Sequence, residues 1–135
     1  MLSKSNKNID VVKTIELDFA IMQLREDGIV TFSPTDSFFG LNLKQIEEVY
    51  QTTLKLTNNN PSPIFVDLVK HITLSSEEKN LIATKLSTCL TACAIKEDHI
   101  LIRFVVHTFN YIYKPEVPIK MFKTQEDAIK WLKEF

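Results

Sequence analysis

The stretch Pro63-Ile64-Phe65-Val66-Asp67 decides the fold. It is a short apolar run that ends in an acid, without the in-out alternation of a half-solvated strand, and so suits a strand covered on both faces, as strands of parallel sheets are. Its flanks have a different period. Upstream, Leu43, Ile46, Val49, Tyr50, Leu54 and Leu56 fall mostly at three- and four-residue steps, with Asn42 placed to cap the start and Asn58-Asn59-Asn60-Pro61 to end the pattern. Downstream, Ser75 with Glu78 three residues on forms a capping box, and Leu81, Ile82 and Leu86 make the apolar side of a second helix. The buried strand is therefore predicted to lie between two helices.

The alternation continues outward. Leu90 to Ile95 reads as another buried strand, Lys96 to Tyr113 as a helix ending before Pro115, and Pro118 to Phe122 as the last strand. Thr124 is placed to cap a final helix with Ala128, Trp131, Leu132 and Phe135 inward, where Lys130 and Lys133 suit the negative end of the dipole. Such an order builds parallel strands joined by right-handed crossovers. The first forty residues differ. Ile9 to Leu17, Phe19 to Leu24 and Ile29 to Phe32 are strand-like runs, and Asp27-Gly28 between two of them is a hairpin signal because Gly28 can take positive φ. Ser33-Pro34-Thr35-Asp36-Ser37 and Gly40 break the chain before the first helix. The expected fold is α/β, with a mixed sheet: an N-terminal antiparallel meander of two or three strands, then alternating helices and parallel strands.

The chain's 135 residues suffice for one hydrophobic core and not two, so a single domain over residues 9–135 is expected, after a polar, disordered tail over residues 1–8. A formal net charge of -1, with Lys and Glu mixed along the chain, offers no basic field for nucleic acid or an anionic membrane. No run approaches the roughly 18 unbroken apolar residues of a spanning helix, and no signal-peptide pattern opens the sequence, so a cytoplasmic protein is expected. Cys89 and Cys93 can make neither a disulfide framework nor the repeated C-x-x-C of a zinc site, and are expected to be buried thiols.

The order of elements resembles the STAS (SpoIIAA-like) superfamily, the fold of anti-anti-sigma factors and of the cytoplasmic domains of sulfate transporters, and in particular its small bacterial relatives. The likeness is clearest where Ile64-Phe65-Val66-Asp67 leads through a loop to a capped helix, and in the run from Pro115 through Phe122 to Ala128 and Trp131-Leu132. It covers most of the chain after Ile9. It implies a regulatory or protein-interaction domain with no catalytic role. In the anti-anti-sigma branch a phosphorylated serine sits in an Asp-Ser-Ser-Gly-like run where the loop after the central strand enters the next helix. Here that place reads Thr73-Leu74-Ser75-Ser76-Glu77-Glu78, so Ser75 and Ser76 are the candidate phosphosites. Leu74 and Glu77 replace the Asp and the Gly. A phosphate beside Glu77 and Glu78 would meet like charge, partly offset by the helix N-terminus, and helix capping is the simpler role.

Asp67 ends a buried strand at the edge where open α/β sheets bind ligands, and is a candidate either for a ligand or for capping backbone N–H groups of its own loop. His71, His99 and His107 do not form a metal set, since His99 and His107 stand two helical turns apart. With only Gly28 and Gly40 there is no glycine-rich phosphate loop, and no G-x-S-x-G elbow supports a nucleophile. No cofactor, metal or catalytic set is expected.

The segment around Ile100 to Tyr113 is the most informative. On a helix, His99, Arg103, His107, Asn110 and Lys114 gather in an arc of roughly 80°, which leaves apolar side chains around the rest. One sheet face cannot cover so much, so the stripe Ile102, Val106, Phe109 and Tyr113 must meet something else. Three partners are open to it: the Phe38-Phe39 loop or a neighbouring helix, a second copy in a two-fold dimer, or an apolar ligand. The leading expectation is a non-enzymatic homodimer acting through a protein partner. The alternative is a carrier of a small apolar or lipid-like ligand, by analogy with Sec14-type domains.

Overall fold

The computed structural model describes residues 10–68, 73–97, 106–107, 109–110 and 116–135. Three strands open the chain, β1 (Val11–Glu16), β2 (Ala20–Arg25) and β3 (Val30–Pro34), followed by helix α1 (Leu43–Thr57) and strand β4 (Ser62–Asp67). Helix α2 (Ser76–Lys85) runs into a tight 3₁₀ turn at Leu86–Thr88, then come β5 (Leu90–Lys96), β6 (Ile119–Phe122) and helix α3 (Gln125–Leu132). All six strands share one sheet, and their order in space is their order in sequence. The pairs β1–β2 and β2–β3 are antiparallel, while β3–β4, β4–β5 and β5–β6 are parallel. The fold is the α/β mixed sheet that the alternation of periods predicts.

Local chemistry sets the boundaries. The β2–β3 hairpin closes through Gly28 at φ 84°, with the Gly28 N–H donating to the Arg25 carbonyl at 3.0 Å. Arg25 and Asp27 clamp the same turn through a 2.7 Å ion pair. Helix α1 begins at a full capping box: Gln45 N–H donates to Asn42 Oδ1 at 2.8 Å, and Asn42 N–H to Gln45 Oε1 at 3.0 Å. It ends at Asn58 in the left-handed region, a conformation asparagine tolerates better than most residues. Thr124 accepts from Asp127 N–H at 3.2 Å and starts α3.

Because β3 to β6 advance in one direction across the sheet, right-handed crossovers put the connecting segments on one face. On that face α1 packs over Ala20, Met22, Val30, Phe32 and Ile64 in the larger core cluster. The other face holds a smaller core, in which Ala92 and Ala94 of β5 let α3 approach closely through Ala128, Ile129 and Leu132, with Phe65 and Ile29 beside them. Met22, Phe38, Ile46 and Leu56 are all but fully buried, each stabilising the fold by about 1.5–3 kcal/mol.

Two details depart from the sequence reading, and one expectation falls partly outside the described residues. Lys96 ends β5 and does not start a helix. Of the segment expected to be helical from Lys96 to Tyr113, Val106, His107, Phe109 and Asn110 are described and are helical; Ile102 and Tyr113 lie outside the described residues. Leu43 and Phe135, expected inward, are 39% and 50% exposed, because Leu43 sits in the first turn of α1 and Phe135 lies beyond the end of α3 against Trp131.

Candidate functional site: an apolar cavity under the helices

Alternation along β4 sends Ile64 and Val66 to the face under α1 and Phe65 to the face under α3. On β5 the same rule would put Leu90 on the side of Ala92. A register shift at the start of β4–β5 pairing changes this: Ser62 pairs with Leu90 and Pro63 with Ala92, so Thr91 is the extra residue of a bulge. Leu90 and Cys93, three apart, therefore face the same way. The hydroxyl of Thr91 is buried without a hydrogen-bond partner.

Above these side chains lies a cavity of about 330 Å³. Phe32, Ile64, Val66, Leu90, Cys93, Ile95 and Ile119 from four strands form its floor. Val49 of α1, Ile82 of α2 and Leu86 just after it form one wall, and Phe38, Leu41, Leu68 and Leu74 from the loops close another. Val106 and Phe109 come down from the crossover between β5 and β6. That crossover is tied to the sheet by Asn110, whose Nδ2 donates to the Ile119 carbonyl at 3.1 Å. Thr73 and Lys79 are the polar side chains of the lining among the described residues.

The space exists because α2 does not fill it. Ala83 is the buried residue of that helix, whereas Ile82 and Leu86 are half-buried with the void in front of them. Salt bridge Lys85–Glu47, at 3.5 Å, and the Lys85 ammonium 4.7 Å over the Tyr50 ring join the C-terminal end of α2 to α1. The Glu47 carboxyl is held below its usual range, first by its hydrogen bond from Gln51 and then by Lys85.

Neither thiol is primed for chemistry. Burial pushes Cys89 up to about 11 and Cys93, on the cavity floor, up to about 12, so both stay protonated at neutral pH.

The structure gathers only part of what the sequence singled out. Val106 and Phe109 meet at the cavity. Asp67 follows Phe65 in the alternation and so stands on the opposite face, half-buried and paired in register with Lys96. Ser75 and Ser76 are exposed; Ser75 Oγ accepts from Glu78 N–H at 3.1 Å, while Ser75 N–H donates to Glu78 Oε1 at 2.9 Å. His107 is exposed, and His71 and His99 lie outside the described residues. Among the described residues no group of three or more His, Cys, Asp or Glu could hold a metal ion, and no helix is long and apolar enough to cross a membrane.

Lys79 was missed by the sequence reading. The signal was present, since Lys79, Ile82 and Leu86 are spaced three and four apart and share a helical face.

Residues 22–135 match the family model of a domain of unknown function, DUF7793. The chain belongs to the DUF7793 family. The family's span contains the whole cavity, whose lining runs from Phe32 to Ile119, while β1 and the start of β2 precede it. No curated protein and no solved structure matches the chain.

Proposed function

We propose that this DUF7793 domain is a non-enzymatic binding domain that carries a small apolar or lipid-like molecule between its helices and its sheet. The observation that carries the reading is the cavity of about 330 Å³, within the range of small-molecule sites and lined almost wholly by apolar side chains. A void of this size left dry forfeits dispersion contacts on every wall, and an apolar occupant would restore them. The element order resembles that of STAS domains, whose fold is similar to that of Sec14-type lipid-binding domains, which adds an analogy in its favour.

Native mass spectrometry of protein purified without detergent tests it. Added mass that extracts as an apolar compound is the expected result. A bare chain that also takes up no added apolar probe would refute the proposal.

A homodimeric regulatory module with a protein partner is the second reading. It is favoured by β1, one of the two edge strands among the described residues, which exposes Val11 and Val12 and could pair with another chain. The double substitution Val106→Glu and Phe109→Glu separates the two. It should abolish apolar uptake if the cavity is the site; a dimer through the crossover should become a soluble monomer, and a dimer through the β1 edge should persist.

A further inference from the structure

The cavity is not uniform. Its buried end is built by Phe32, Phe38, Val49, Ile64 and Leu90, all buried. Its polar lining, Thr73 and Lys79, lies at the N-terminal end of α2, where Thr73 is exposed and Lys79 half-buried. A Cβ at Gly40 would meet the Thr73 carbonyl oxygen at 4.0 Å, so the loop after β3 and the segment before α2 frame the same opening.

Lys79 is the single charged residue among the described lining residues. The two salt bridges among the described residues, Arg25–Asp27 and Lys85–Glu47, leave it without a carboxylate partner. Glu78, its neighbour, has its carboxylate turned back onto Ser75 N–H. A lysine beside an apolar wall lays its methylenes along that wall and keeps its ammonium toward water, which sets a positive charge at the mouth. The positive end of the α2 dipole lies on the same side but is offset by Glu77 and Glu78 in its first turn, so the Lys79 ammonium is the charge that a head group would meet.

Resting on the carrier reading above, we propose that the ligand is an amphipathic carboxylic acid, a medium-chain fatty acid in chemical class, with its tail on the Phe32–Ile64 floor and its carboxylate at Lys79. The size agrees. At the roughly 30 Å³ that a one-heavy-atom molecule such as water takes in the liquid, 330 Å³ holds on the order of ten non-hydrogen atoms.

The test compares decanoate with 1-decanol at pH 7.5, each titrated into the full chain by isothermal titration calorimetry. The two probes share a tail and differ in the head. Decanoate is expected to bind about tenfold or more tightly than the alcohol, the scale of a hydrogen bond to a charged group. Lys79→Met, which keeps the aliphatic stem, should bring decanoate down to the level of decanol and leave decanol unchanged; Lys79→Gln serves should the Met variant misfold. Equal binding of both probes by the unaltered chain would overturn the head-group assignment and leave the carrier reading standing. If neither probe binds, both fall together.

Discussion

The rings of Phe32 and Phe38 meet edge to face, with centroids 5.8 Å apart and planes at 72°. Through this contact the loop after β3 is locked onto the sheet, and both residues line the cavity. Phe38 is 1% exposed. Phe38→Ala should therefore cost about 3–5 kcal/mol, through lost burial and an enlarged void. Urea denaturation should show the midpoint fall with the slope unchanged, and Phe38→Leu should cost clearly less.

Filling the cavity gives the opposite sign. Inserting a larger side chain into a packed core costs about 1–3 kcal/mol, but Ile82 faces open space. Ile82→Phe should leave the thermal midpoint level or higher while reducing uptake of decanoate at least several-fold. A drop in stability of the overpacking size would mean that the space is already occupied by the protein itself.

The thiols predict an alkaline limit. Both pKa values are raised on folding, from the ordinary 9.0 to about 11 for Cys89 and about 12 for Cys93, so the folded state holds these protons more tightly than the unfolded one. The stability they contribute is fully present below pH 9 and is lost as pH rises through 11 to 12. Urea midpoints measured from pH 8 to 11 should fall less steeply in a Cys89→Ala, Cys93→Ala variant than in the natural sequence. Ellman's reagent at pH 8 should react with neither thiol until the protein is unfolded.

At the start of α2 the capping role can be separated from any modification. Ser75→Ala removes the acceptor for Glu78 N–H and should cost about 1 kcal/mol. Ser75→Asp restores a capping oxygen and should recover most of that loss in thermal unfolding. Ser76 takes no part in the cap, so Ser76→Ala should change stability by no more than about 0.5 kcal/mol.

What the sequence made legible is what local chemistry fixes. Asn42, Ser75 and Thr124 cap the helices they were expected to cap, and Asp27-Gly28 turns the hairpin, because each requirement is met within a few residues of chain. Thr52, Thr53 and Thr57, buried on α1, were not legible as core. Thr53 and Thr57 qualify because their hydroxyls donate to backbone carbonyls one turn back, at 2.8 Å each. The cavity was legible only as a surplus of apolar surface around Val106 and Phe109. Its shape depends on the Thr91 bulge and on what α2 fails to fill, and a register shift between two strands leaves no mark in the residues of either one.

The identity of spatial and sequential strand order carries a kinetic consequence. Every strand finds its neighbour in the segment synthesised just before it, so the sheet can grow by addition during translation, with few long loops to close. Val106, Phe109 and Ile119 arrive with the last crossover and the last parallel strand. The cavity is thus enclosed late, with only α3 and the smaller core on the other face still to follow, and an apolar molecule present during synthesis would meet it while its roof is still open.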